Sequence, residues 1–141
     1  ALEAFFEQYQ RYPLVVDKWF ALQATVPSPD TLDRVIALMD NAAFSIRNPN
    51  RVRALIGSFA AANPVAFNRK DGTGYDFVAE RVLELNTLNP QVAARMLGAF
   101  RSWKTLEPIR KALARSALEK IAGSDGLSSD VMDIVTRSLD V

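Results

Sequence analysis

The sequence predicts an all-α protein of about eight short helices, and three observations carry that expectation. Apolar residues recur at i, i+3, i+4 and i+7 through most of the chain, the spacing that gathers them on one helical face. The stretches patterned in this way are divided by Gly, Ser and Pro breaks, among them Asn48-Pro49, Asn63-Pro64 and Asn89-Pro90. No period-two alternation runs long enough to build a sheet, and "FSIRN" at 44–48 is the only extended-looking piece.

Taken in order, "LEAFFEQYQR" forms a first helix that ends near Tyr12-Pro13, because a residue before proline disfavours the helical region. Pro13 opens the second, "PLVVDKWFALQATV", at a position where no amide hydrogen is needed. Val16 and Phe20 share its inner side, with Trp19 and Gln23 beside them. The third is expected to start with Ser28 as cap and Pro29 as first residue, and to bury Leu32, Val35, Ile36 and Met39. Asn48 caps the next, Pro49 begins it, and Val52, Leu55, Ile56 and Phe59 form its stripe. Asn63-Pro64 stops that helix and starts a short turn through Phe67.

"RKDGTG" at 69–74 is the clearest loop. Thr73 is expected to cap the helix that follows, whose inner side carries Tyr75, Val78, Val82 and Leu85. Asn89-Pro90 opens "QVAARMLGAFRSW", with Val92, Met96, Ala99, Phe100 and Trp103 on one face. A helix from about Leu106 to Ile121 ends at "GSDG". Ser128 caps the terminal helix, in which Val131, Ile134, Val135 and Leu139 point inward and Met132 is placed to staple against Leu127. Short connections make consecutive helices pack antiparallel. The three Asn-Pro pairs lie 15 and 26 residues apart, too unevenly for a regular repeat. On the residues alone, an irregular α-α superhelix and a compact all-α bundle both fit.

The 141 residues suit a single helical domain, 1–141, and a hydrophobic share of 49% supplies its core. There is no cysteine, which removes disulfides and thiolate ligands and fits a reducing, cytoplasmic compartment. There is no histidine either. Most protein zinc sites, Ser-His-Asp triads and histidine acid–base catalysis are thereby excluded from this chain. A net charge of +1 points to no nucleic-acid partner. No apolar run approaches the ~20 residues of a membrane span. The opening "ALEAFFEQY" has no initiator Met and no signal-like pattern, which leaves room for a piece of something longer.

The stretch "NPNRVRALIGSFAAANP", 48–64, raises the main question about function. Its first turn carries positive charge where a helix start favours Asp or Glu. Arg51 and Arg53 flank the inward Val52. Arg53 neighbours Ile56 and the small Gly57 and Ala60, so another segment or a ligand can approach closely. The ordinary explanation is a solvated flank whose aliphatic stems cover the core edge. The functional one is a guanidinium that forks a carboxylate. Arg95, at the edge of the Val92/Met96/Ala99 face, poses the same choice. Gln23 is a weaker candidate for an interdomain contact. Glu80, Glu84, Glu107 and Glu119 show no pairing suited to acid–base work. Arg110, Lys111, Arg115 and Lys120 are interleaved with acids rather than arrayed along a phosphate backbone. "DGTG" lacks the spacing of a phosphate loop. The residues describe a scaffold, lid or binding surface without its own catalytic apparatus.

Several long strings add a resemblance: "YPLVVDKWFALQATV" at 12–26, "NPNRVRALIGSFAAANPVAF" at 48–67, "DGTGYDF" at 71–77, "LNTLNPQVAARML" at 85–97, and a charged helix ending "ALEKIAG". In this order they closely resemble the C-terminal domain of bacterial aminopeptidases of the M1 zinc metallopeptidase family, the aminopeptidase N or alanyl aminopeptidase type. The resemblance implies an α-α superhelix of armadillo or HEAT character. It implies an accessory domain of a longer polypeptide, packed against the catalytic and other domains and closing the chamber that admits short peptides. The zinc and its HExxH…E ligands belong to a separate upstream domain, so this chain holds no cofactor and no catalytic residue of its own. "NPNRxR" places a chamber-facing arginine at Arg53 and "NPQVAxR" places another at Arg95, with Arg51 a third candidate. Their implied role is to orient the peptide's C-terminal side. The competing expectation is a free-standing helical-repeat interaction module, and a weaker one is an independent carboxylate hydrolase.

Overall fold

The computed structural model describes residues 13–140, and the helix expected over "LEAFFEQYQR" lies outside them. Every regular element among the described residues is helical. The chain divides into two compact units, Ala1–Ala66 and Phe67–Val141.

In the first unit, α1 spans Pro13–Ala24 and α2 Thr31–Leu38. Helix α1 buries Val16, Trp19, Phe20, Gln23 and Ala24, with Trp19 set edge-on to Phe20 at 5.2 Å between ring centres. The start expected at Ser28-Pro29 is displaced to Thr31. Ser28 Oγ accepts from the Asp30 N–H at 3.2 Å and its carbonyl accepts from the Thr31 N–H at 3.1 Å, which closes residues 28–31 into a turn. The Thr31 hydroxyl donates to the Val26 carbonyl at 2.6 Å and anchors the new start. Leu32 and Val35 are buried, but Ile36 is exposed and Met39 half-buried, because this eight-residue helix covers only a narrow stripe.

Asn48 caps as expected. Its Oδ1 accepts from the N–H groups of Asn50 (3.1 Å) and Arg51 (3.3 Å), and Pro49 opens α3, Pro49–Val52. The helix then widens into a π segment, Arg53–Gly57, before resuming as α4, Ser58–Ala62. The Ser58 N–H reaches back to the Arg53 carbonyl, and the Ser58 hydroxyl donates to the same oxygen at 3.4 Å. Val52, Leu55, Ile56 and Phe59 are all fully buried, and the π segment packs on α1. The buried Asn63 ends α4. Its amide donates to the carbonyls of Ala24 and Val26, both at 2.8 Å, and its Oδ1 accepts from the Ala66 N–H at 3.2 Å. A one-turn helix α5, Pro64–Phe67, follows.

The second unit is built on α6, Thr73–Leu88, against which α7, Pro90–Met96, and α8, Pro108–Ala122, both pack. Helix α9, Ser129–Asp140, packs on α7 and α8. Tyr75, Val78, Val82 and Leu85 are buried as the pattern predicts. Tyr75 stacks edge-on to Phe67 at 5.1 Å, and Phe67 to Phe100 at 5.4 Å. Thr73 is not the cap of α6 but its first residue, with Gly72 as N-cap. The reason is Asp71, whose Oδ1 accepts from the Thr73 hydroxyl (2.7 Å) and N–H (3.1 Å). Those two bonds hold the Asp71 carboxyl below its ordinary range.

Asn89 caps α7 through the Val92 N–H at 3.3 Å. The continuous helix expected from there to Trp103 instead changes to 3₁₀ turns at Leu97–Phe100 and Trp103–Thr105. Gly98 lies at the change and weakens the α ladder. Val92, Met96, Phe100 and Trp103 are buried nonetheless, and Ala99 is half-buried. Asn86 is buried in α6; its amide donates to the Gly126 carbonyl at 2.9 Å and its Oδ1 accepts from the Ser128 N–H at 2.8 Å. Ser128 caps α9 through the Val131 N–H at 3.2 Å. Val131 and Val135 face inward as expected, whereas Ile134 and Leu139 are half-buried and Met132 is exposed.

Helix α8 starts at Pro108, later than the Leu106 read from the sequence, because Glu107 is its cap. The Glu107 carboxylate accepts from the N–H groups of Arg110 and Ile109, both at 2.8 Å. The Arg110 N–H is the main reason its pKa falls below the ordinary 4.5. A depressed carboxylate stabilises the fold above its unfolded value and loses that contribution as pH drops through the folded one. Glu107→Ala is therefore expected to lower the urea midpoint at neutral pH. The gap from the parent chain should close as pH falls below 4.5. A gap independent of pH would remove the charge from this account.

Candidate functional site

The three candidate arginines have different settings. Arg51 is held inside the first unit. Its Nη1 pairs with Asp17 Oδ1 at 2.5 Å, and its Nε donates to the Ala43 carbonyl at 3.0 Å. The side chains of Arg51 and Asp17 are only 11% and 19% exposed, so the pair ties α3 to α1 in a partly desolvated setting. Asp17 is 34 residues earlier and gave no local sign that it would meet Arg51.

Arg53 is exposed and heads the π segment. Its Nη2 donates to the Asn50 side-chain oxygen, and no carboxylate pairs with it among the described residues. The π turn sets it one residue beyond Val52, on the outer side of a helix whose opposite side is core. Nearby, Ser58 and Gly57 are half-buried and small, and a Cβ at Gly57 would meet only the Arg53 Cβ at 3.8 Å and the Val52 carbonyl at 3.9 Å.

Arg95 belongs to the second unit. It lies exposed in the last turn of α7, where a cation suits the helix dipole, and no ion pair or hydrogen bond engages its side chain among the described residues. Arg53 and Arg95 thus each display an exposed guanidinium without a carboxylate partner among the described residues, the Arg53 group being engaged by the Asn50 amide oxygen through Nη2. Gln23 is buried; its Oε1 accepts from Arg34 Nη1 at 2.7 Å, which gives it a place within the first unit.

Among the described residues, no three or more His, Cys, Asp or Glu side chains gather to hold a metal ion. No helix there is long and apolar enough to cross a membrane. Several acids of the second unit are drawn into ion pairs, within one helix as in Arg115–Glu119 at 3.8 Å or between α8 and α6 as in Lys120–Glu80 at 3.4 Å. Short helices packed on one another, with every regular element among the described residues helical, define the class: an all-α helical domain.

Comparison with known families makes the class specific. The profile described as "Domain of unknown function (DUF3458_C) ARM repeats" matches residues 1–140, and the chain belongs to this family. It is 41% identical over 139 residues to aminopeptidase N of Caulobacter vibrioides and 40% identical over 138 residues to aminopeptidase N of Escherichia coli. These alignments cover 99% and 98% of the chain. Among solved structures it is similar to Legionella pneumophila aminopeptidase A, crystallised in complex with aspartic acid, with a TM-score of 0.92, 37% identity and 99% of the chain covered. The chain spans only 16% of the length of each of these three proteins. The portion it matches in the bacterial aminopeptidases N is their C-terminal, ARM-repeat portion.

Proposed function

We propose that this chain serves as the chamber-closing C-terminal portion of a cytoplasmic, zinc-dependent aminopeptidase that releases N-terminal residues from short peptides. On this reading the metal and the bond-cleaving groups lie in another domain of the same polypeptide. Arg53 and Arg95 meet the C-terminal side of the peptide, and Arg51 has the structural task of holding α3 on α1. The observation that carries the assignment is the pair of exposed guanidinium groups without carboxylate partners, in a chain similar over nearly its whole length to aminopeptidases N. A peptide's carboxylate needs a cation away from the metal, and an arginine fork supplies affinity and orientation without touching the scissile bond.

The test uses the full-length enzyme. Arg53→Ala and Arg95→Ala are each expected to raise KM for a short peptide about tenfold, the worth of one charge-assisted contact, with kcat little changed. KM for a neutral aminoacyl amide should stay near the parent value. Equal effects on the two substrates would rule out a carboxylate contact. An upstream reading frame without HExxH would favour the free-standing interaction module instead.

A further inference from the structure

A second basic feature lies in the 3₁₀ region and terminal helix of the second unit. A notch of about 370 Å³ is lined by Arg101, Trp103, Lys104, Ile134, Arg137 and Ser138. It has three cations and no carboxylate in its wall. Arg137 is engaged by Asp133 on its own helix. Arg101 makes only a long bond to the Gly98 carbonyl, 3.4 Å from its Nε, and Lys104 Nζ sits 5.6 Å from the centre of the Trp103 ring. Neither Arg101 nor Lys104 has a carboxylate partner among the described residues.

The floor of the notch is fixed. Trp103 is buried and its indole N–H donates to the Ser138 carbonyl at 3.0 Å, tying the 3₁₀ turn to α9. The Ser138 hydroxyl donates to the Ile134 carbonyl at 2.8 Å, which leaves its oxygen free to accept. A lysine held by a rigid indole, with Arg101 and the aliphatic Ile134 in the same wall, suits a ligand that is charged at one end and apolar at the other. We infer that this notch binds a small organic anion, a carboxylate or phosphate head on a compact apolar body. The head meets Arg101 and Lys104, and the body lies against Ile134 and Trp103. This site is independent of Arg53 and Arg95.

The Trp103 indole N–H resonance in the 141-residue chain reports on the site directly. Titration with phenyl phosphate and with benzoate is expected to shift it saturably, and the stronger of the two identifies the preferred head group. Neutral benzyl alcohol should leave it in place, and inorganic phosphate should bind more weakly than phenyl phosphate. Arg101→Gln combined with Lys104→Gln, both at surface positions, should weaken binding of either aryl anion about tenfold while the circular dichroism stays unchanged. Unaltered affinity in that variant would overturn the assignment. So would equal binding of the neutral alcohol, or no saturable shift with either anion. Inorganic phosphate binding as tightly as phenyl phosphate would overturn the apolar half of the site. Arg53→Ala and Arg95→Ala should leave these titrations untouched, so failure here and failure of the substrate-chamber role are separable.

Discussion

Asn63→Asp should cost the first unit about 3–5 kcal/mol, the penalty for a buried charge without compensation. The Asn63 amide nitrogen stands 2.8 Å from two carbonyl oxygens, those of Ala24 and Val26, and the residue is 1% exposed. Aspartate keeps the acceptor for the Ala66 N–H but turns a donor into a second acceptor facing two oxygens. It must either ionise against them or bury a proton at a shifted pKa. Asn63→Ala removes the same donor without adding charge: the Ala24 carbonyl loses its side-chain partner and the Ala66 N–H its acceptor, while the Val26 carbonyl keeps the Thr31 hydroxyl and the Ser28 N–H, and the change should cost about 1–3 kcal/mol. Urea unfolding with amide exchange read at Val52, Ile56 and Phe59 would measure both. A loss below about 1 kcal/mol for the aspartate variant would mean that water reaches this corner and replaces the lost donor.

The same residue marks where sequence reading stops. Asn48 and Asn89 were legible as caps because the Asn-Pro pair performs its task within one turn: Asn accepts the first free N–H groups and Pro supplies the helical φ. Asn63-Pro64 carries the same letters, and its position at a helix end was legible too. Its amide, however, is spent 39 residues away in the chain, on α1, and nothing local announces that. Asn86 and the Arg51–Asp17 pair are of the same kind. The core stripes of α3–α4 and α6 could be read because 3.6-residue periodicity survives even the π segment. The helix starts that shifted, at Thr31, Thr73 and Pro108, each did so because a neighbouring Ser, Asp or Glu oxygen captured an N–H first. Arg53 and Arg95 could be singled out from their strings, but that they lack carboxylate partners emerges only once every acid has its place. The Arg101–Lys104 notch was hidden because its third cation, Arg137, comes from another helix.

Gly72→Ala is expected to destabilise the second unit by about 2–4 kcal/mol, from two separable causes. Gly72 has φ +79°, where a side chain costs about 1–2 kcal/mol. An added Cβ there would also come within 3.1 Å of Leu113 Cδ2 and 3.2 Å of its Cβ, tighter than packed methyls usually sit, so Leu113 must give by a few tenths of an ångström. Gly126 provides the internal comparison: φ +73°, with nothing within 4 Å of the new Cβ. Gly126→Ala should therefore show the backbone cost alone, about 1–2 kcal/mol. If the remainder at Gly72 is steric, trimming the wall must relieve it. The double variant Gly72→Ala with Leu113→Ala should lose less stability than the two single changes added together, with a coupling of about 1 kcal/mol or more. Strict additivity, or equal losses at the two glycines, would show that Leu113 moves aside at no cost, and that α8 does not constrain the loop leading into α6 as closely as these distances require.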